Sequence, residues 1–168
     1  EVMAANGIHV WLTERNTPTP AISHAVVDHG AGGAVNITAS HNPAADCGFK
    51  VRDPLGGAIP PDDLKQIEKL IPPESSILTM TLDDALSDGQ VTFFDAAPAY
   101  ENHLKQLVDV TPLKQAGLNI LVDCMWGNNI GWFPRLLQDG VTQVHEVHDV
   151  RNPIFPHMTR PEPIPPNV

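Results

Sequence analysis

The sequence predicts an α/β protein built as two domains. Three observations lead there. Short β-like apolar runs alternate with segments of helical periodicity, the pattern of sheets flanked by helices. The run Leu118–Val122 is almost continuously apolar, as in a strand covered on both faces. Between two such alternating stretches lies a polar, proline-bearing connector over residues 72–90, which places the domains at 1–88 and 89–168.

Taken in order, the chain opens on Glu1–Asn6, which reads as the end of a helix with Gly7 as its C-cap, so earlier sequence is expected. Ile8–Leu12 alternates like a strand. Thr17-Pro18-Thr19-Pro20 breaks it, and Pro20 suits the first turn of a helix running over Ala21–His29, with Ile22, Ala25 and Val26 on its apolar face. Ala34–Ile37 is a strand, as is Gly48–Arg52. A turn at Pro54–Gly57 precedes a helix from Asp62 or Asp63 that carries Leu64, Ile67, Leu70 and Ile71. Beyond the connector, Val91–Phe94 begins the second unit. Ala97, Tyr100, Leu104, Leu107 and Val108 fall at helical spacing, and Pro112–Ala116 forms a short helix. The strand at 118–122, a helix over Asn129–Asp139 and a strand over Val141–Val147 follow. From Arg151 onward prolines exclude a regular helix.

At 168 residues, 42% hydrophobic and 18% charged, the chain has the composition of a soluble globular protein. A cytoplasmic location is expected, since no apolar run reaches the length of a membrane span and no charged-then-apolar leader opens the sequence. A formal net charge of −10 argues against nucleic acid or an anionic membrane as partner. Cys47 and Cys124 stand far apart in no CxxC pair, which suggests two free thiols rather than a zinc site or disulfide.

The most informative segment is Thr38-Ala39-Ser40-His41-Asn42-Pro43, directly after the apolar run Ala34–Ile37. It sets a serine hydroxyl beside an imidazole in a turn closed by Asn-Pro. Such a turn can also be purely structural, with Ser and Asn bonding to the backbone. In the returning strand Phe49 and Val51 share one face, and Lys50 and Arg52 share the other. Two cations on one face would suit an anion held near Ser40. A neutral serine needs such help to act as a nucleophile.

The same hexapeptide, with Pro18–Ala21 before it and Gly48-Phe49-Lys50 after it, resembles the α-D-phosphohexomutases, the phosphoglucomutase/phosphomannomutase family. Val122-Asp123, Trp126-Gly127, Asn152–Phe155 and Pro161–Ile164 extend the resemblance through the second half. It implies two α/β/α layered domains with mixed sheets, the first N-terminally incomplete. The chain would be a fragment holding the end of the family's first domain and most of its second. Phospho-Ser40 would then exchange its phosphoryl group with a hexose phosphate, interconverting the 1-phosphate and 6-phosphate through a bisphosphate sugar. His41 would contact the phosphate or assist proton transfer, and Lys50 would act as acid/base or as a fixed charge. Asn42 and Arg52 would bind substrate. Mg²⁺ would bind through the phosphate on Ser40, and hexose 1,6-bisphosphate would serve as activator.

Two departures stand out. Cys47-Gly48 replaces the family's usual Asn-Gly, and Pro156-His157 replaces a glycine-bearing stretch. The family's Asp-x-Asp-x-Asp-Arg metal loop is not in this sequence, so its remaining Mg²⁺ ligands are expected beyond the chain, and the isolated chain is expected to lack appreciable turnover. Asp83, Asp84 and Asp88 read as a solvated turn. His145 and Asp149 would point away from Glu146 and His148 on a strand, which disfavours a metal site there. Trp11, Trp126 and Trp132 read as core or domain-contact residues. The rival function is a non-catalytic phosphosugar-binding or interaction module. A serine hydrolase is disfavoured because no Gly-x-Ser-x-Gly elbow surrounds Ser40. Thr38 at the first position resembles the glucose/mannose branch more than the glucosamine one, and glucose against mannose stays open.

Overall fold

A computed structural model describes residues 1–167; Val168, the last residue of the expected second domain, lies outside them. The chain is mixed α/β, with parallel and antiparallel strand pairs, and forms two compact units that interleave along the sequence.

The first unit comprises Glu1–Asn16 and Ala58–Ala96. Helix α1 (Val2–Ala5) leads to strand β1 (Val10–Thr13), two residues later than expected at its start. Helix α3 (Pro61–Glu68) opens with Pro60-Pro61 and bears Asp62 and Asp63 in its first turn, where the helix dipole favours acids. It stops before Leu70 and Ile71, which are exposed rather than part of an apolar helical face. The expected connector is not featureless. It holds a 3₁₀ turn at Glu74–Ser76 and helix α4 (Leu82–Ser87). Thr81 caps α4 by accepting from the Asp84 amide at 3.1 Å, while its hydroxyl donates to the Asp84 carboxylate at 2.6 Å. Asp83 and Asp84 are exposed as expected, but they lie in the first turn of a helix, with Asp88 as its C-cap, rather than in a turn. Strand β4 (Val91–Phe94) pairs in parallel with β1, Val10 opposite Val91, across the expected boundary between 88 and 89. Ala4, Ala85 and Val91 form this unit's small core, with Val10, Met80, Leu82 and Leu86 packed on it.

The second unit comprises Thr17–Gly57 and Ala97 onward. Helix α2 (Thr19–Asp28) begins two residues earlier than expected, with Pro20 in its first turn, and buries Ala21, Ala25 and Val26. It packs on strand β2 (Ala34–Ile37) and on helix α5 (Ala97–Leu107). Strand β3 (Phe49–Arg52) runs antiparallel to β2, with Asn36 opposite Lys50 and Ala34 opposite Arg52. Helix α6 (Thr111–Gln115) precedes strand β5 (Asn119–Asp123), which pairs in parallel with β6 (Gln143–Val147). Exposure alternates along β5, and Leu121 is 70% exposed, so among the described residues only one face of this pair is covered. Helix α7 (Trp132–Leu137) is shorter than expected and packs on β6. Its start is set by Gly131, which is left-handed and donates its amide to both Glu146 carboxylate oxygens at 3.0 Å.

Candidate functional site

Strands β2 and β3 carry the serine loop between them. Its neck closes where the Thr38 amide donates to the Gly48 carbonyl at 2.8 Å. Only glycine fits at 48, because a Cβ there would lie 2.1 Å from the Thr38 carbonyl oxygen. The family's Asn-Gly departure at Cys47 leaves this glycine in place. Within the loop the Ser40 amide donates to Thr38 Oγ1 at 3.0 Å, and the Asn42 amide donates to the Ala39 carbonyl at 3.1 Å. Ser40 itself is left-handed, with φ of 60°. Non-glycine residues rarely occupy that region, and such local strain concentrates at functional sites. The turn thus displays Ser40, His41 and Asn42 to solvent.

The returning strand places Lys50 and Arg52 on the face that also bears Asn36, as the alternation predicts. Lys50 is exposed, whereas Arg52 is half-buried and its Nε is buried without a partner. Asn36 is buried and donates from Nδ2 to Thr19 Oγ1 at 3.2 Å, leaving its own Oδ1 unpaired. That bond ties the Pro18–Ala21 motif at the head of α2 to the strand that feeds the serine loop. The Ser40 hydroxyl makes no hydrogen bond to His41 or Lys50 among the described residues. His41 turns instead to a residue that sequence reading placed only within a motif: its Nε2 lies 3.1 Å from Glu162 Oε1.

The second-half motifs converge at the C-terminal ends of β5 and β6. His148 Nδ1 donates to Asp123 Oδ1 over 2.8 Å, and its ring stacks on Trp126, with ring centroids 3.9 Å apart. The Trp126 amide donates to the His148 carbonyl, and the Asn152 amide donates to the Trp126 carbonyl. Met125, Trp126, His148, Phe155 and His157 are all left-handed. Trp126 is therefore a clamp between motif segments, while Trp132 packs edge-on against Tyr100. Cys124 is buried beside this corner. Burial, then the Glu146 carboxylate, pushes its thiol from 9.0 up to about 11. Both cysteines are free. No group of three or more His, Cys, Asp or Glu side chains suited to a metal occurs among the described residues. The described side chains do not by themselves form a Mg²⁺ site. Among the described residues no helix is long and apolar enough to cross a membrane.

The chain is similar to known proteins over most of its length. The family description "phosphoglucomutase/phosphomannomutase, alpha/beta/alpha domain I" matches residues 1–77. A phosphoglucomutase from Komagataeibacter xylinus is 30% identical over 95% of this chain and 31% of its own length. A phosphoglucosamine mutase from Desulforamulus reducens is 37% identical over 73% of this chain and 27% of its own. A crystal structure from Thermus thermophilus, assigned as a phosphomannomutase, superposes with a TM-score of 0.84 at 32% identity, covering 98% of this chain and 36% of that one. The chain thus spans about a third of the length of these relatives.

Proposed function

The chain belongs to the phosphoglucomutase/phosphomannomutase family, and from that premise we propose that it supplies the phosphoserine of a mutase acting on hexose phosphates. The observation that carries this reading is the pinned, left-handed display of Ser40 beside a strand whose one face bears Lys50 and Arg52.

The chemistry follows from charge. A phosphoserine carries roughly −1.5 to −2 charge, so cations must gather around it. When a free hydroxyl of a hexose monophosphate attacks phospho-Ser40, a sugar O–P bond forms, the Oγ–P bond breaks, and the hydroxyl proton ends on Ser40 Oγ, leaving a bisphosphate sugar. Ser40 Oγ then attacks the other phosphate: an Oγ–P bond forms, that sugar O–P bond breaks, and the serine proton ends on the departing sugar oxygen, which completes the exchange of 1-phosphate and 6-phosphate. Such transfers depend chiefly on positioning and on stabilised charge. Lys50, being exposed, serves as a fixed charge, since a base role for lysine requires burial or neighbouring cations. Arg52 and Asn42 contact substrate phosphate or hydroxyls. Glucose or mannose phosphate is the proposed substrate, hexose 1,6-bisphosphate the activator, and Mg²⁺ a partner that a phosphoryl oxygen on Ser40 would help to hold. The chain alone is proposed to exchange phosphoryl groups without sustained turnover.

The test is discharge. Chain phosphorylated at Ser40 and mixed with a hexose 1-phosphate should yield hexose 1,6-bisphosphate, visible by ³¹P NMR, and the Ser40→Ala chain should yield none. A phosphochain that stays intact under excess sugar phosphate contradicts the proposal and favours a binding module.

A further inference from the structure

The contact between His41 and Glu162 joins the serine loop to a proline-bounded segment far along the chain. A carboxylate only accepts, so the proton on this bond belongs to His41 Nε2. Glu162 is itself held. Its other oxygen, Oε2, faces Arg160 Nη1 at 3.3 Å. Its backbone turn is clasped by Asn167, whose Nδ2 donates to the carbonyls of Arg160 at 2.9 Å and Glu162 at 2.8 Å. The Glu162 side chain is mostly buried, at 18% exposure, whereas that of His41 is largely open at 54%. A held, mostly buried acceptor therefore faces an exposed donor, the arrangement by which a carboxylate orients an imidazole and sets its tautomer.

We propose that Glu162 is a positioning residue for phosphoryl transfer at Ser40: it accepts the hydrogen bond from His41 Nε2–H and so leaves Nδ1 as the ring nitrogen that addresses the phosphoryl group. This rests on the reading of Ser40 as the phosphoryl carrier. With Nε2 engaged, an imidazolium donates its Nδ1–H to a phosphoryl oxygen while the serine proton passes to the departing sugar oxygen. Glu162 forms no bond to phosphorus or sugar.

Two readouts on the whole chain separate this role from simple structure. Two-dimensional ¹⁵N spectra of histidine-labelled chain, taken above the imidazole titration range, report which ring nitrogen holds the proton. Wild type and Glu162→Gln should show His41 with the proton on Nε2, since the amide oxygen still accepts. Glu162→Leu should shift His41 toward a mixture of tautomers and leave the other histidine signals in place. Phosphoryl uptake by Ser40 from hexose 1,6-bisphosphate should slow about tenfold in Glu162→Leu, the scale of one charge-assisted hydrogen bond. Glu162→Gln should restore most of it. An unmoved His41 signal, or unchanged uptake, in Glu162→Leu overturns the role of Glu162 while leaving the mutase reading intact. No uptake by wild type with the Nε2–H signal in place overturns the mutase reading, and the positioning role with it.

Discussion

Thr38 and Gly48 meet across the neck of the serine loop so closely that the amide of one bonds the carbonyl of the other at 2.8 Å, and no Cβ fits at the glycine. The obstacle is backbone, which cannot swing aside. Gly48→Ala should therefore destabilise the chain by about 1–3 kcal/mol, the usual cost of overpacking. Gly32→Ala meets nothing within 4 Å and should be near neutral. Denaturant midpoints of the two variants check the difference.

Lys50 stands opposite Asn36 in the register and reaches solvent on the Arg52 face. If its work is charge, Lys50→Ala should slow phosphoryl uptake by Ser40 roughly a hundredfold, the scale of losing one stabilising donor. Lys50→Arg should recover most of that rate. Rapid-quench labelling of the three chains is the measurement, and an arginine variant as slow as alanine would restore the acid/base reading.

The Cys124 thiol, pushed from 9.0 to about 11 mainly by burial, keeps its proton longer in the folded chain than in the unfolded one. Its contribution is complete below about pH 9 and is lost as pH rises toward 11. Unfolding free energy should fall across that window, and Cys124→Ala should flatten the decline. At neutral pH iodoacetamide should modify exposed Cys47 and spare Cys124, read by peptide mass.

Much of this was legible in the sequence, for identifiable reasons. The β2–β3 pair and the shared face of Lys50 and Arg52 follow from strict alternation around a single glycine-necked loop. The pairing of β1 with β4 does not, because parallel partners lie far apart and no turn announces them. Helix α4 hid in a connector rich in turn-forming residues, although Thr81-x-x-Asp84 is a capping pattern in its own right. Leu121 was misleading. A continuous apolar run implies two covered faces, yet among the described residues one face of β5 is open. Glu162 sits in a proline-rich stretch without periodicity, so nothing local ties it to His41.

Thr81 offers a check on that hidden helix. Thr81→Ala removes the cap on the Asp84 amide and should cost about 1 kcal/mol. Thermal unfolding of the variant, with Thr81→Ser as the control that keeps the acceptor, measures it.

The central claim is that Ser40 carries the phosphoryl group. Its most direct test is to incubate the chain with hexose 1,6-bisphosphate and locate the added phosphate by tandem mass spectrometry. One phosphate is expected, on Ser40, and none on the Ser40→Ala chain. Phosphate on another residue, or an unmodified Ser40, would contradict it.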